Sequence, residues 1–303
     1  MTKIIGIGET IMDLVFKNNT IEKIVPGGSV FNALVSLARS NENVLFVSET
    51  GNDIIGEKII KFMTENNMNT EYITRYEETP TPLSLAFLNE KNDAEYVFYK
   101  QQPQNIDYLP LPTINPHDIL LYGSFYTINS KTRPRVTSLI EEAKKKNILR
   151  YYDPNFRSSH LKELPDLLPK IIETMKNSSI VRGSDEDFRL IFSSNEDLDA
   201  LYEKTIKHIS PYFICTCAEN GVSLFSPNLK KHFPTPKIQP ISTIGAGDNF
   251  NAGFIFAYSQ MLKENKNLKI KDLTEKEWEK LIRSGINFSK EVCLSLNNYI
   301  DKK

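Results

Sequence analysis

Short apolar runs alternate along this chain with longer segments whose apolar residues recur at helical spacing. The first such pair is KIIGIG (3–8), which ends in glycine, and SVFNALVSLARS (29–40), which carries a single apolar stripe. Further strands are predicted at 43–50, 118–125, 147–155, 178–184 and 212–217, and further helices at 54–67, 135–147, 161–176, from 185 onward, 247–264 and 275–295. Regular alternation of this kind predicts a mostly parallel sheet with helices on both of its faces.

One stretch departs from this alternation. Three of its segments, YITRYEE (72–78), LSLAFLN (83–89) and AEYVFYK (94–100), read as consecutive strands joined by hairpin turns, one of them at 91–93. Because a small β-sheet of this kind does not fit inside a parallel core, we expect it to project as a lid or an interaction surface. Strand-like residues at 11–17 and 21–25 are candidates to join it. The predicted organisation is a single domain over 1–303, with a β-lid formed by roughly 11–25 and 72–101.

The composition is that of an ordinary globular protein and argues against several function classes. Of 303 residues, 40% are hydrophobic and 25% are charged, which suffices for one large α/β domain or two modest ones. The net charge of −1 gives no global field that would attract nucleic acid or an acidic membrane. We recognise no run of 18 apolar residues and no targeting segment, and three cysteines without framework spacing suit a reducing compartment. We therefore expect a cytoplasmic protein whose partners are small molecules, not nucleic acid or membrane.

Ligands of open parallel sheets bind beyond the carboxyl ends of the strands, so the residues that follow predicted strands are the first candidates for a site. Polar residues and glycines occupy those places in this chain. They are Asp13, Gly27–Gly28, Gly51, Gly123–Ser124, Asp153–Arg157, Ser184 and Thr216–Gly221. The sequence thus predicts that a ligand site lies along this edge of the sheet.

The segment 242-STIGAGDNFNAGF-254 carries the most specific chemistry. Gly245, Ala246 and Gly247 leave backbone N–H groups accessible at the start of a predicted helix, where they form an anion hole. Asp248 adds a carboxylate in the first turn of that helix. Phosphoryl transfer requires both features, because the amides stabilise charge on the phosphoryl oxygens while the carboxylate orients and deprotonates an attacking hydroxyl. The alternative is a tight glycine turn followed by an Asp that complements the helix dipole.

A second segment, 27-GGSVFNALVSLAR-39, suits a polyol ligand. Gly27 and Gly28 let the backbone approach a ligand closely, and Asn32 offers both a donor and an acceptor in the first turn of the predicted helix. Asp13 in 8-GETIMDL-14 and Arg157 in 153-DPNFR-157 follow predicted strands. Simpler interpretations are a glycine turn, a capping Asp and a surface ion pair of the Arg, and these residues taken singly leave them open.

Together the two segments resemble the signatures of the PfkB/ribokinase family of sugar and nucleoside kinases, D-T-x-G-A-G-D-x-F-x-x-G and G-G-x-x-x-N-x-A-x-x-L-A-R. The resemblance implies a ribokinase-like fold, which is a three-layer α/β/α sandwich with a mostly parallel central sheet and a small β-lid. It also implies that Asp248 is the catalytic base beside the anion hole at 245–247. The sugar would be held by Asp13, Gly27, Gly28 and Asn32.

Further matches concern the nucleotide. The segment 216-TCAENG-221 resembles T-x-G-x-x-G, which lines the nucleotide phosphates and ribose in the family. Ala218 stands where Gly is usual, a change that costs little unless φ must be positive there. Asn287 corresponds to a position that faces the adenine. The nucleotide residues implied by the resemblance are Ser184, Thr216, Ala218, Glu219, Gly221, Gly245, Gly247 and Asn287.

Three more positions bear on ions and phosphates. The segment 184-SDED-187 resembles the family's N-x-x-E, which helps organise Mg²⁺ through water, so Asp187 is the implied metal residue. Ser242 replaces the first Asp of the C-terminal signature, which removes a charge near the ion sites and puts activation by a monovalent cation in doubt. The segment DPNFR is similar to D-P-N-x-R of fructokinase and 2-keto-3-deoxygluconate kinase relatives, which implies that Arg157 contacts phosphate or substrate oxygens.

The resemblance implies an ATP-dependent kinase that transfers the γ-phosphoryl group of Mg·ATP to a primary hydroxyl of a monosaccharide. Residues 80–100 look most like the fructokinase branch, in which this lid strand ends in F-Y-R, and Lys100 replaces that Arg as a substrate-binding residue. Because Lys lacks the bidentate fork of Arg, a carboxylated substrate such as 2-keto-3-deoxygluconate is disfavoured. Fructose is the first prediction, ahead of ribose and nucleosides. The alternative from another class is a non-catalytic sugar- or nucleotide-binding regulator, and exposed lid edges make a lid-to-lid homodimer reasonable.

Overall fold

The computed structural model describes residues 2–18, 20–89, 94–101, 103 and 108–302. Its strands are β1 (Ile4–Ile7), β2 (Ile11–Lys17), β3 (Thr20–Gly27), β4 (Val44–Gly51), β5 (Ile73–Tyr76), β6 (Leu83–Leu88), β7 (Ala94–Tyr99), β8 (Ile119–Gly123), β9 (Leu149–Asp153), β10 (Ile180–Ser184), β11 (Phe213–Thr216), β12 (Val222–Phe225) and β13 (Lys230–Phe233). Its α-helices are α1 (Ser29–Arg39), α2 (Ile54–Glu65), α3 (Ser124–Ile128), α4 (Arg133–Lys145), α5 (Leu164–Lys176), α6 (Asp185–Phe192), α7 (Leu198–Lys204), α8 (Ala246–Glu264) and α9 (Glu275–Cys293). Every element predicted from the apolar pattern is present.

Nine strands form one large sheet in the order β13-β12-β11-β10-β9-β8-β1-β4-β5. The pairs from β5 to β11 are parallel, and only the hairpin of β12 and β13 at one edge is antiparallel. Because the parallel strands are joined by helical crossovers, their carboxyl ends all lie along one edge of the sheet. The predicted mostly parallel sheet is confirmed.

Helices cover both faces of this sheet, and the alternation of side chains along each strand explains why. Ile4 and Phe46 belong to a buried apolar cluster with residues of α1, α2, α8 and α9. The neighbouring residues Ile5 and Val47 belong to a second cluster on the opposite face, with residues of α3 to α7. Strands that are buried on both faces must be apolar at nearly every position, as IIGI in β1 is. The three-layer α/β/α architecture is therefore confirmed.

A second, four-stranded sheet has the order β3-β2-β6-β7. Its outer pairs are antiparallel, and β2 pairs with β6 in parallel. A small buried cluster of Val15, Ala86 and Ile244, with Tyr96 beside it, packs one face of this sheet onto the loop that precedes α8. The small sheet therefore lies next to the segment that carries the strongest sequence motif, and it is called the lid sheet below.

One part of the predicted lid is wrong. The sequence pattern places the segment 72–78 in the lid, but β5 pairs in parallel with β4, Ser48 opposite Ile73, and forms the edge of the large sheet. The residues EETPTP (77–82) carry the chain from one sheet to the other, although their turn-forming composition suggests a hairpin. The hairpin turn predicted at 91–93 lies outside the described residues.

The apolar pattern of the sequence does not predict the hairpin of β12 and β13. Each strand has only four residues, and KKHF in β13 is mostly polar and exposed, so neither run shows a clear period. None of the described helices combines the length and the apolar character needed to cross a membrane.

Candidate active site

The start of α8 is shaped by Gly245, which adopts a left-handed backbone conformation with φ of 77°. A Cβ at this position would lie 2.5 Å from the carbonyl oxygen of Asn298, so glycine is required both for its conformation and for the close approach. The backbone N–H of Ala246 donates to the Thr243 carbonyl at 3.2 Å. Because that amide is engaged, an anion-binding role at this helix start falls mainly on the flanking N–H groups of Gly245 and Gly247.

Asp248 lies in the first turn of α8 with only 9% of its surface exposed. Ser29 donates its hydroxyl to Oδ1 at 2.8 Å, and Asn32 donates its amide to Oδ2 at 2.8 Å. Burial raises the pKa of Asp248 from 3.8 to about 6, although the bonds from Asn32 and Ser29 act in the opposite direction. The carboxylate is therefore fixed in orientation by α1 and remains charged at neutral pH, as a proton acceptor must be.

Asp13 projects from β2 of the lid sheet and is also buried. Its Oδ1 accepts a hydrogen bond from Ser84 at 2.5 Å, and its Oδ2 accepts one from the amide of Asn298 at 3.1 Å. The pKa of Asp13 is raised to about 6, chiefly by burial, while the bond from Ser84 opposes the shift and the like charge of Asp248 adds to it. Gly27 lies against this carboxylate. Asp13 and Asp248 thus lie at the junction of the two sheets, close enough for the charge of Asp248 to raise the pKa of Asp13.

Gly28 packs against the backbone of Glu9, and the side chain of Glu9 lines a cleft. The φ of Gly28 is 126°, and a Cβ there would lie 2.4 Å from the backbone oxygen of Glu9. The side chain of Glu9 forms an ion pair with Lys100, with 2.9 Å between Oε2 and Nζ. Both residues line a cleft together with Phe125 and Tyr126. The sequence motif points to Lys100 but not to the acidic partner that neutralises it.

A buried cation, Arg182, connects β11, which ends at the predicted nucleotide contact Thr216, to the start of α8. Arg182 in β10 donates to Oδ2 of Asp153 at 2.7 Å and to Oγ1 of Thr216 at 2.6 Å. Asn251 in α8 also donates to Oδ2 of Asp153, at 2.7 Å. A Cβ on Gly247 would lie 2.8 Å from the Arg182 guanidinium. The arginine thus sits directly behind the predicted anion hole and fixes it relative to β9 and β11.

Ser184 and Asp187 form a capping box at the start of α6. The Asp187 carboxylate accepts from the backbone N–H of Ser184 at 2.8 Å and from its hydroxyl at 2.7 Å. Burial raises the pKa of Asp187 to about 6, and the like charge of Asp153 adds to this, while Arg157 opposes it. Within the described ranges no cluster of three or more His, Cys, Asp or Glu side chains could hold a metal ion. The Asp187 carboxylate thus accepts both of its hydrogen bonds from Ser184 through the single oxygen Oδ2.

The remaining predicted residues lie along the same edge. Arg157 is exposed after β9, and its positive charge opposes the burial that raises the pKa of Asp248 and of Asp187. Ala218 follows β11 with φ of 46°, so this position does require the left-handed conformation that favours glycine. Ser242 is buried, and its hydroxyl accepts from the backbone N–H of Ile244 at 3.2 Å. Glu219 and Gly221 lie in the loop after β11. Asn287 occupies an exposed position of α9.

The structure therefore brings together residues from distant parts of the sequence, and it adds contacts that the sequence pattern does not predict. The additional residues are Glu9, Ser29, Ser84, Arg182, Asn251 and Asn298. Ser29 had a signal, because it lies three residues before Asn32 on the same helical face. Arg182 also had one, since it is a charge inside an otherwise apolar strand. Nothing in the sequence marked Asn298.

Known proteins resemble this chain over most of its length. A fructokinase of Rhizobium leguminosarum bv. trifolii is 27% identical over 256 residues, which cover 82% of this chain and 77% of that protein. An ATP-dependent 6-phosphofructokinase of Thermoanaerobacterium thermosaccharolyticum is 24% identical over 269 residues, 86% of this chain and 81% of that protein.

Solved structures share the fold. A fructokinase from Vibrio cholerae O395, with fructose, ADP and calcium ion bound, superposes with a TM-score of 0.85 over 98% of this chain and 94% of that chain, at 18% identity. An aminoimidazole riboside kinase from Salmonella enterica gives a TM-score of 0.80 over 97% and 94%, also at 18% identity. The model of the pfkB family of carbohydrate kinases matches residues 1–301. Since that match spans nearly the whole chain, this protein belongs to the pfkB family of carbohydrate kinases and is a phosphotransferase.

Proposed function

We propose that this chain is an ATP-dependent kinase that phosphorylates a primary hydroxyl of a neutral monosaccharide, with fructose as the first candidate. The observation that carries the proposal is the geometry of Asp248, a buried carboxylate fixed by Ser29 and Asn32 in the first turn of a helix whose N-terminus can bind an anion. A second acid, Asp13, lies close enough to Asp248 for the charge of Asp248 to raise its pKa. Fructokinases are among the similar proteins, and one of the similar structures contains fructose and ADP.

The reaction follows from this arrangement. The acceptor hydroxyl donates its proton to a carboxylate oxygen of Asp248 as its own oxygen forms a bond to the γ-phosphorus. The bond between that phosphorus and the β,γ-bridging oxygen breaks, and ADP leaves. The N–H groups of Gly245 and Gly247 stabilise the charge on the transferring group, and Arg157 can contact the phosphates from the solvent side. Because the pKa of Asp248 is about 6, the base is mostly ionised at neutral pH.

A magnesium ion would enter with the nucleotide, neutralising charge on the β- and γ-phosphates when it is bound. Asp187, through water, is the residue that would hold it. Thr216 at the end of β11 and Ala218 and Gly221 after it are the proposed phosphate and ribose contacts. Asn287 on α9 is the proposed adenine contact. A monovalent cation is not part of the proposal, since Ser242 supplies no negative charge at the position of the first Asp of the motif.

The cleft lined by Glu9 and Lys100 favours a neutral sugar. Lys100 is paired with Glu9, so its charge is not available to a substrate carboxylate. Glu49 adds a second acid to the lining, and its pKa is raised to about 7 by burial, against the hydrogen bond from Tyr126. An anionic substituent would therefore meet acidic groups, which disfavours 2-keto-3-deoxygluconate and sugar phosphates relative to fructose or ribose.

The test is an ADP-release assay with Mg·ATP and a panel of acceptors. Fructose, ribose, 2-keto-3-deoxygluconate, fructose 6-phosphate and adenosine together cover the neutral, acidic, phosphorylated and nucleoside classes. We expect turnover with a neutral sugar, with fructose giving the highest kcat/KM. ADP release only with an acidic or phosphorylated acceptor would reject the substrate assignment. Sugar binding without any ADP release would instead support a non-catalytic regulator.

We also propose that the chain forms a homodimer through the outer face of the lid sheet. A row of apolar side chains crosses that face in register, formed by Ile24, Leu14, Leu85 and Val97. Ile24 is 59% exposed and Val97 is 43% exposed, and alternation along β2 places this row on the face opposite Asp13. A second copy of the same row would cover both patches symmetrically.

Sedimentation analysis of two matched variants tests the dimer. We expect a dimeric wild type and a monomeric Ile24→Lys variant. Ile54→Lys serves as the control, since Ile54 is 76% exposed on α2, far in sequence from the lid strands, and should leave the dimer intact. A monomeric wild type at micromolar concentration, or an Ile24→Lys variant that still dimerises, contradicts the proposed interface.

A further inference from the structure

Buried acceptor oxygens without a hydrogen-bond donor point to places where a ligand completes the site. The side-chain oxygens of Asn32, Asn251 and Asn298 are buried and have no partner among the described residues. Each of these side chains donates its amide N–H group to a carboxylate described above, Asn32 to Asp248, Asn251 to Asp153 and Asn298 to Asp13. Because each amide nitrogen faces a carboxylate, the orientation of each amide is fixed, and each free oxygen needs a donor from elsewhere.

Asn298 occupies an unusual place, because it belongs to the last few residues of the chain. Its side chain is 1% exposed. Its backbone carbonyl oxygen accepts a hydrogen bond from the amide of Asn249 in α8 at 2.8 Å and lies against Gly245. One residue therefore contacts both the carboxylate of Asp13 and the helix start that forms the predicted anion hole.

The C-terminal segment that carries Asn298 is firmly anchored. The backbone N–H of Ile300 donates to the hydroxyl of Ser36 in α1 at 3.1 Å, and Arg39 donates to the Ile300 carbonyl at 2.6 Å. The Arg39 guanidinium also lies 4.6 Å from the centre of the Tyr299 ring. These contacts hold Asn298 in place, so its orientation is a property of the fold.

We propose that Asn298 is a substrate-binding residue, an inference that rests on the proposed sugar kinase activity. Its N–H group holds Asp13 in position, and its side-chain oxygen accepts a hydrogen bond from a hydroxyl of the sugar other than the one that is phosphorylated. Asp13 can accept a second hydroxyl next to it, so adjacent hydroxyls of the acceptor are recognised as a pair. Through its contact with Gly245, the same residue sets the distance between the bound sugar and the transferring phosphoryl group.

The test compares Asn298→Ala with Asn297→Ala, a control that removes the same side chain one residue earlier. Asn297 donates to Asp301 and accepts from Lys23, outside the site. With the sugar that wild type uses best, we expect Asn298→Ala to lower kcat/KM for the sugar by about 30-fold or more, since it loses a substrate bond and leaves Asp13 without one of its donors. The KM for ATP should change less than about threefold, a change worth well under 1 kcal/mol. Asn297→Ala should behave as wild type.

Asn298→Asp provides a second variant in case the alanine variant is unstable. It keeps the shape and an acceptor oxygen but replaces the N–H donor with an acid facing Asp13, so we expect a sugar KM that is raised at pH 8 and partly restored near pH 6. Monodeoxy analogues of the sugar then identify the contact. The deoxygenation that costs wild type about tenfold in kcat/KM should cost Asn298→Ala almost nothing at the same position.

The outcomes are distinguishable. If wild type releases no ADP with any sugar, the proposed kinase activity itself fails, and this inference fails with it. If wild type is active but Asn298→Ala and Asn298→Asp keep its sugar KM, or no deoxy analogue shows coupling, the inference alone is overturned.

Discussion

Replacing Asp248 with asparagine should abolish turnover and at the same time stabilise the fold. The carboxylate is buried, and its pKa is raised from 3.8 to about 6. A shift of roughly two units corresponds to about 3 kcal/mol of unfavourable free energy in the folded state at neutral pH. An uncharged amide of the same shape avoids most of that cost. Asn32 can turn its unpartnered side-chain oxygen toward the new amide, although one hydrogen bond worth about 1 kcal/mol is lost in the exchange. We expect a net gain of about 2 kcal/mol in the free energy of unfolding.

The gain should depend on pH with a defined sign. Because the folded-state pKa of Asp248 lies above its unfolded value, folded wild type retains a proton that the unfolded chain releases between pH 3.8 and about 6. The contribution of this group to wild-type stability therefore decreases as the pH rises through that window and is constant above it. The amide that replaces the carboxylate in the variant does not titrate. The difference in unfolding free energy should be near its full value at pH 7.5 and markedly smaller at pH 4.5.

Urea unfolding at the two pH values and ADP release at pH 7.5 measure both effects. We expect kcat to fall by about 10³-fold, the range for loss of a general base. Asp118→Asn is a matched control, since Asp118 is buried at the opposite edge of the sheet, before β8, and accepts from the N–H groups of Lys3 and Asn115 at 2.9 and 2.8 Å. That variant should lose stability and keep its kcat. An Asp248→Asn protein that is active within tenfold of wild type, or less stable at pH 7.5, would refute the reasoning.

Two further variants test the nucleotide side of the site. Ala218→Gly should leave the unfolding free energy unchanged or raise it by up to about 1 kcal/mol, because φ of 46° is strained for alanine, whereas the same exchange in a relaxed position is destabilising; a loss of about 1 kcal/mol in urea unfolding would show that the strain is absent. Arg182→Met should destabilise the protein by roughly 3 kcal/mol, since it leaves Asp153 buried without its cation, and should raise the KM for ATP through the lost contact with Thr216. Arg182→Lys should recover part of both effects, and equal behaviour of the Met and Lys variants would contradict the role of charge.

The fold could be predicted from the sequence because the large sheet is built from repeated strand–helix units. Each strand and each helix has its own spacing of apolar residues, so an error in the predicted end of one element does not affect the prediction of the next. The strand β5 was misplaced for the opposite reason. ITRY has the composition of a half-buried strand in either sheet, and only its pairing with β4 decides which one it joins. Pairing partners of short strands depend on contacts that the local sequence does not contain.

The candidate site could be predicted where a motif keeps its residues close in sequence. Gly245, Ala246, Gly247 and Asp248 are consecutive, and one helix start orders all four. The contacts that cross between distant segments were not accessible in this way. Asn298 lies 285 residues from Asp13, and no spacing rule connects them. Contacts of this kind appear only when the C-terminal segment is seen to pack against α1 and α8.

The charges of the site differ between the two partners of the proposed reaction. On the side of the nucleotide, the acid Asp153 is neutralised by the buried Arg182, and Arg157 is exposed after β9. Buried acids lie on the side of the acceptor, where the charge of Asp248 raises the pKa of Asp13 and the repulsion acts on both groups. Hydroxyls relieve that repulsion by donating hydrogen bonds, whereas an anionic acceptor would add to it. Sugar binding should therefore lower the pKa of Asp248 and prepare it as a base, and a kcat whose acid limb lies at lower pH than that of kcat/KM would be the signature of this coupling.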